Sequence, residues 1–100
     1  MVNNMTQKNL SYSLPVHITK QGRRFVAYTP ALDISTSGKS EKDVKVKFVE
    51  LANLFLEEIM EAGTIDDVLS ELGWKKIQKK WNPPTIVSSQ SINLRVPMMA

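Results

Sequence analysis

The feature that most constrains the fold is a change in the period of the apolar residues near position 40. Before this point apolar and polar residues alternate, as in half-buried strands, whereas after it apolar residues recur at helical spacing. The helical stretch opens at Ser40, whose hydroxyl can accept a hydrogen bond from an orphan amide, and stops before Gly63. We therefore predict a long helix, over about 40–62, that covers a sheet built mainly from the preceding residues.

The predicted helix has a broad apolar face, made of two neighbouring stripes. A face of this width needs the sheet on one side and a second element beside it. Residues 64–73 supply that element, because they read as a short amphipathic helix that repeats the capping pattern at Thr64 and ends at Gly73. We expect it to fold back onto the second stripe. The first stripe comprises Val44, Phe48, Leu51, Ala52, Phe55 and Ile59, and the second comprises Val49, Leu56 and Met60.

Three strands are predicted before the helix. Residues 12–19 alternate with period two, and Pro15, which has no amide hydrogen, places this strand at a sheet edge or a bulge. Gly22 can adopt positive φ in a hairpin turn that leads into a second strand at 24–28. A third strand follows at 32–36, so the three make an antiparallel meander.

The end of the chain combines a basic connector, a helix breaker and a last alternating stretch. The connector covers 74–81, Pro83 and Pro84 prevent a helix, and 85–97 read as a final strand. The predicted fold class is therefore α+β, with a mostly antiparallel sheet in the order β-β-β-α-α-β and one long helix packed on one face.

Length and composition restrict the classes of protein to which the chain can belong. The 100 residues fit one domain at 11–100 after a flexible tail at 1–10. The absence of cysteine excludes disulfides and thiolate chemistry. Because there is no apolar run of membrane-spanning length and no signal-like N-terminus, we expect a cytoplasmic protein with no membrane partner.

Side chains that could carry out catalysis are sparse. His17 is the single histidine, and Asp33 is the single acid in the predicted strands. A multi-histidine metal site is thus impossible, and a carboxylate cluster of the kind that a metal-dependent nuclease needs is not predicted. We expect no catalytic residue, no metal and no cofactor, and hence a chain that acts by binding a partner.

Charge is distributed unevenly along the chain. Residues 39–73 carry four lysines against nine acids, whereas residues 74–100 carry five basic residues and no acid. This pattern fits charge-steered association with a partner, and it equally fits a solvated helix face beside a lysine-rich turn. The acids that we predict to face a partner are Glu57, Glu58, Glu61, Asp66, Asp67 and Glu71.

The connector admits two interpretations. Its aromatic and basic residues could bind single-stranded nucleic acid by base stacking and phosphate contacts. The favoured interpretation is that both tryptophans cover the core while the lysines remain in water. The residues concerned are Trp74, Lys75, Lys76, Lys79, Lys80 and Trp81.

Four short motifs stand in a fixed order before and at the start of the long helix. They are aromatic-x-Ala at Phe25-Val26-Ala27, Pro-x-Leu at Pro30-Ala31-Leu32, Thr-x-Gly at Thr36-Ser37-Gly38, and a capping residue, Ser40, that opens an acidic amphipathic helix. In this order and spacing, residues 13–73 resemble the HicB family of antitoxins.

The resemblance implies a reduced RNase H-like domain that has lost its catalytic carboxylates. It further implies an antitoxin of a type II toxin–antitoxin system, which binds and neutralises a HicA-type, messenger-RNA-cleaving toxin by protein–protein contact. Family members often dimerise through the sheet region, so a homodimer or higher homo-oligomer is implied as well. Many members carry a DNA-binding segment after this domain, but none is recognisable after Gly73, so we do not expect this chain alone to bind its operator.

Two alternatives remain open beside the antitoxin. The chain could be a stand-alone HicB-like interaction domain, or it could be a nucleic-acid-binding protein that uses the connector. For the antitoxin we expect the acidic helical side and an exposed strand edge to form the contact surface. The last strand, tethered by Pro83 and Pro84, is the element that we expect to be exchanged between copies or lent to a partner.

Overall fold

The fold is seen in a computed structural model that describes residues 12–98, and the predicted tail at 1–10 lies outside the described residues. The α+β class and the order β-β-β-α-α-β are confirmed, and the final β unit is a two-stranded hairpin. The elements are β1 (His17–Gln21), β2 (Arg24–Thr29), β3 (Ile34–Gly38), α1 (Glu41–Glu61), α2 (Ile65–Glu71), β4 (Lys75–Ile77) and β5 (Lys80–Asn82).

The first three strands form an antiparallel sheet with β2 in the middle. The predicted hairpin turn is confirmed, with Gly22 at φ +64°. The first strand is shorter than predicted, because residues 12–16 lie outside it. The last β1–β2 pair joins His17 to Tyr28. Because β2 ends one residue later, just before Pro30, residues 12–15 have no residue of β2 opposite them.

The third strand also begins later than predicted, at Ile34, since the chain turns between β2 and β3. The Asp33 amide donates to the Thr29 carbonyl at 2.9 Å, and Asp33 itself has φ +54°. This turn points Leu32 into the core, where it is 2% exposed. Leu32 therefore belongs to the core through a turn and not through a strand.

The long helix packs against one face of the three-stranded sheet. Ala27 and Val44 are fully buried, and Phe48 is nearly so. The close approach depends on small residues beneath the helix. A side-chain carbon built at Gly38 would lie 2.8 Å from the Val44 amide nitrogen, so any larger residue there would push α1 away from β3.

The two helices begin differently. The Ser40 hydroxyl accepts from the Asp43 amide at 3.0 Å, and the Asp43 carboxylate accepts from the Lys39 amide at 2.9 Å, which makes a reciprocal cap. The bond from the Lys39 amide lowers the pKa of Asp43. The predicted second cap is wrong, because the Thr64 side chain caps no amide of α2 and its hydroxyl donates back to the Ile59 carbonyl at 3.4 Å.

A second core cluster joins α2 and the end of α1 to the turn before β3. The Trp74 indole N–H donates to the Ala31 carbonyl at 2.7 Å and so ties two parts of the chain 43 residues apart. Phe55, a member of the first predicted stripe, is half-buried in this cluster, whereas Phe48 packs against the sheet. The buried members are Ala31, Leu32, Ile59, Leu69 and Trp74.

The second apolar stripe of α1 is covered only in part. Leu56 is half-buried in the cluster with α2, but Val49 is 57% exposed and Met60 is 61% exposed. The expectation that α2 covers this stripe is therefore correct for one of its three residues. The reason is length, because a helix of seven residues, about 10 Å long, cannot run beside one of 21 residues.

The end of the chain differs most from the prediction. The connector, which was not predicted to form regular structure, makes the β4–β5 hairpin. Residues 83–98, which we will call the C-terminal segment, form neither helix nor strand, so the strand predicted at 85–97 is not formed in the single chain. The segment runs outward, and the radius of gyration is accordingly 17.4 Å, against about 13 Å for a compact chain of this length.

Candidate partner-binding surfaces

The six acids predicted to face a partner are all exposed, and together they define an acidic surface. Three lie near the end of α1 and three on α2, which packs against it. Neither helix has a basic residue in its last turn, so no helix residue offsets the negative end of either dipole, whereas Asp66 and Asp67 stand in the first turn of α2, at the positive end of its dipole. The surface therefore attracts cations. It comprises Glu57, Glu58 and Glu61 on α1 and Asp66, Asp67 and Glu71 on α2.

The β4–β5 hairpin, residues 75–82, forms a basic surface beside the acidic one. Its central turn residues, Gln78 and Lys79, both have positive φ, as a type I′ hairpin turn requires. The Lys76 ammonium lies 3.7 Å from the Asp66 carboxylate, and because both side chains are well exposed this pair contributes at most about 1 kcal/mol. The basic hairpin thus borders the acidic surface. Its lysines Lys75, Lys76, Lys79 and Lys80 are all exposed.

The two tryptophans have different environments. Trp74 is 6% exposed, its indole N–H is bonded, and its ring meets Tyr12 edge-to-face at a centroid distance of 5.7 Å. Trp81 is half-buried against the same core cluster, and the Lys76 ammonium lies 5.6 Å from the centroid of its ring. A pair of free aromatic faces for base stacking is therefore not formed. Trp74 covers the core, as the favoured interpretation has it, and the hairpin keeps only its lysines for phosphate contacts.

An apolar groove of about 490 Å³ lies between α1 and the residues that lead into β1. Sequence reasoning missed it, although both of its walls gave a signal. One wall is part of the second stripe of α1, which the sequence predicts to be covered by α2. The other wall is the alternating stretch before β1, which the sequence predicts to be part of the first strand. The lining residues are Tyr12, Leu14, Val16, Leu32, Phe48, Val49, Ala52, Asn53, Leu56 and Trp74.

The sheet face opposite α1 is polar. The Arg24 guanidinium donates to the Ser37 hydroxyl at 2.9 Å. The Tyr28 hydroxyl donates to the Asp33 carboxylate at 3.0 Å, and this bond raises the pKa of Tyr28. His17, paired with Tyr28 across the strands, is exposed. Because Arg24 bonds to Ser37 and Tyr28 bonds to Asp33, we interpret this face as an ordinary solvated one.

The described residues lack the features of two other kinds of site. Between Tyr12 and Met98, no three His, Cys, Asp or Glu side chains are grouped so that they could hold a metal ion. No helix within that range is both long and apolar enough to cross a membrane. The chain matches no protein-family model, no curated protein and no solved structure. The case for a function therefore depends on the surfaces described above and on the motifs of the sequence.

Proposed function

We propose that the chain is a HicB-like antitoxin of a type II toxin–antitoxin system. In this proposal it binds a HicA-type, messenger-RNA-cleaving toxin through its acidic surface and neutralises it by contact. The observation that carries the proposal is that one residue from each motif that resembles the HicB family stands where the fold needs its particular size or hydrogen bond: Ala27, Leu32, Gly38 and Ser40.

All four motifs illustrate this need. Ala27 of the aromatic-x-Ala motif is fully buried where α1 crosses the sheet, next to Val44. Gly38 of the Thr-x-Gly motif leaves room for the first turn of α1, and Ser40 caps that turn. Leu32 of the Pro-x-Leu motif fills the second core cluster. The motifs together specify one sheet covered by one capped helix, and this agreement supports the family resemblance over residues 13–73.

The acidic surface supports the part of the proposal that concerns the partner. A ribonuclease must attract the phosphates of its substrate and therefore presents basic residues. An acidic surface on a second protein would compete for those residues and would also accelerate association. Residues 48–74, which include all six of these acids, contain seven acids and no basic residue, so this stretch of the chain is strongly negative.

The test is a binding measurement with a purified HicA-type toxin, if the adjoining gene encodes one, paired with a growth assay. Wild-type chain should bind the toxin and restore growth of cells that express it. Glu61→Lys, in the acidic surface, should weaken binding about tenfold or more, with a steeper loss at low salt. The matched control is Glu41→Lys, an exposed acid at the opposite end of the same helix and on its other side, which should change binding less than about twofold.

If the wild-type chain binds no toxin, or if the two variants are equally impaired, the proposal fails. A stand-alone interaction domain would then be the better description. A gel shift with single-stranded RNA tests the remaining alternative, in which the exposed lysines of the basic hairpin bind nucleic acid. In that case binding should fall steeply with salt and should be lost in Lys79→Ala with Lys80→Ala.

A further inference from the structure

We propose that α1 of one copy packs in parallel against α1 of a second copy, through a stripe of the helix that does not face the sheet. The two copies then meet through their helices and leave both edges of the three-stranded sheet free. This contact differs from the sheet-mediated dimer that the family resemblance implies, and it does not depend on the toxin.

The contact surface lies along the outer side of α1 and will be called the outer stripe. It comprises Val46, Val49, Asn53, Leu56 and Met60. Val46, Val49 and Met60 are 54%, 57% and 61% exposed, so no element among residues 12–98 covers them. Leu56 is half-buried in the cluster with α2, and Asn53 is exposed. Exposed apolar side chains that lie next to one another on a surface mark a site of interaction.

The spacing of the outer stripe is that of a coiled coil. Its members follow one another at intervals of three, four, three and four residues, so they occupy the a and d positions of two heptads between 46 and 60. This stretch of helix is about 21 Å long. A second helix with the same spacing can therefore insert its side chains between those of the first along the whole stripe.

Asn53 indicates that the second helix is another copy and that it runs parallel to the first. It occupies the central a position, and in a parallel pair the a residues of the two helices face each other. The two amides then hydrogen-bond to one another within an otherwise apolar contact. An entirely apolar partner helix would instead leave the Asn53 amide without a bond, at a cost in free energy.

Charged residues beside the outer stripe favour the same arrangement. Lys45 occupies a g position and Glu50 the e position five residues later, and both side chains are exposed. In a parallel pair these positions face each other across the contact, so two symmetry-related ion pairs form between Lys45 and Glu50. In an antiparallel pair the e positions of the two helices meet, which brings Glu50 and Glu57 of both copies together. Charge therefore selects the parallel pair.

Neighbouring features are compatible with this contact. The Lys45 ammonium lies 3.3 Å from the Glu41 carboxylate, but these side chains are 61% and 62% exposed, so exchanging this pair for another costs little. Val49 and Leu56 also line the apolar groove, and the second helix would lie along its mouth. Glu61 lies outside the outer stripe, so the acidic surface remains accessible to a toxin.

The first test is the solution mass of the full chain, measured by sedimentation equilibrium across about a hundredfold range of concentration. Wild-type protein should reach twice the 11.3 kDa chain mass and should dissociate on dilution. Val49→Lys places a charge at a d position and should weaken dimerisation at least about tenfold. The matched control Leu54→Lys adds the same charge at a 53% exposed residue of α1 outside the outer stripe, and it should weaken dimerisation less than about threefold.

The second test mixes two charge-reversed variants at low ionic strength, where ion pairs are least screened. In Lys45→Glu two acids face each other across each contact, and in Glu50→Lys two lysines do. Each variant alone should therefore dimerise at least about fivefold more weakly than wild type. Their mixture should form a heterodimer of about wild-type affinity, because both of its charge pairs are again of opposite sign.

Three results would overturn the proposal. The first is a wild-type chain that stays monomeric at every concentration, which is also the outcome if the outer stripe binds a different protein. The second is an equal effect of Val49→Lys and Leu54→Lys, since the copies must then meet through another surface, such as the sheet edge. The third is a mixture of Lys45→Glu and Glu50→Lys that dimerises no better than either variant alone, because the helices are then not paired in parallel.

Discussion

Residues 17–61 and residues 64–98 both contain alternating apolar residues and a helix-capping residue, but only in the first region do these form the structure that they predict. In the first region, the alternating strands pair with one another and the helical cap forms its hydrogen bonds. In the second, the Thr64 side chain caps no amide of α2, and the alternating C-terminal segment pairs with no strand among residues 12–98. The comparison teaches that a periodic pattern determines which side chains share a face, while the availability of a partner decides whether that face is covered.

The difference can be traced to the connections between elements. Gly22 lets the chain reverse and brings β1 against β2 at once. Pro83 and Pro84 instead send the alternating residues away from the sheet. The same pattern therefore yields a paired strand in one place and an uncovered one in the other. Each prediction below compares a buried residue with a more exposed one, or a helix cap that forms its hydrogen bond with one that does not.

The largest effect is expected from removing an aromatic ring from the core. Phe48→Ala should lower the free energy of unfolding by about 3–5 kcal/mol, because the ring is 7% exposed between α1 and the sheet. Leu94→Ala in the C-terminal segment should change it by less than about 0.5 kcal/mol at concentrations where the chain is monomeric, since Leu94 is 81% exposed. Urea denaturation followed by circular dichroism measures both. Similar losses in the two variants would mean that the C-terminal segment is packed in the monomer.

An intermediate effect is expected at the two tryptophans. Trp74→Phe keeps an aromatic ring but leaves the buried Ala31 carbonyl without its donor, which should cost about 1–3 kcal/mol. Trp81→Phe replaces an indole that is only half-buried, and whose cation–π contact with Lys76 lies at the surface, by a smaller ring, so the loss should be below about 1 kcal/mol. The two unfolding curves, measured side by side, would reject this ranking if Trp81→Phe were the more damaging variant.

Much of the fold could be predicted from the sequence, because its signals are local. The meander, the long helix, the Ser40 cap and the hairpin at Gly22 each depend on a few neighbouring residues. The missed features depend on geometry between distant parts. The groove exists because α2 is too short to cover Val49, and no periodicity states where a helix will pack. The exposure of the six acids could be predicted from the sequence, whereas their contact with a partner stays a prediction. The role of Trp74 depends on a bond to Ala31 that no local pattern reveals.

The smallest effect separates the two helix starts. Ser40→Ala should cost about 1 kcal/mol, because the hydroxyl accepts the Asp43 amide and holds one half of the reciprocal cap. Thr64→Ala should cost less than about 0.5 kcal/mol, since its hydroxyl satisfies no amide of α2 and makes only a 3.4 Å bond to a carbonyl. Denaturant midpoints of the two variants at one protein concentration give the comparison. If Thr64→Ala proved as costly as Ser40→Ala, α2 would depend on its first residue as strongly as α1 does. The contrast between residues 17–61, where the predicted cap forms, and residues 64–98, where it does not, would then have no effect on stability.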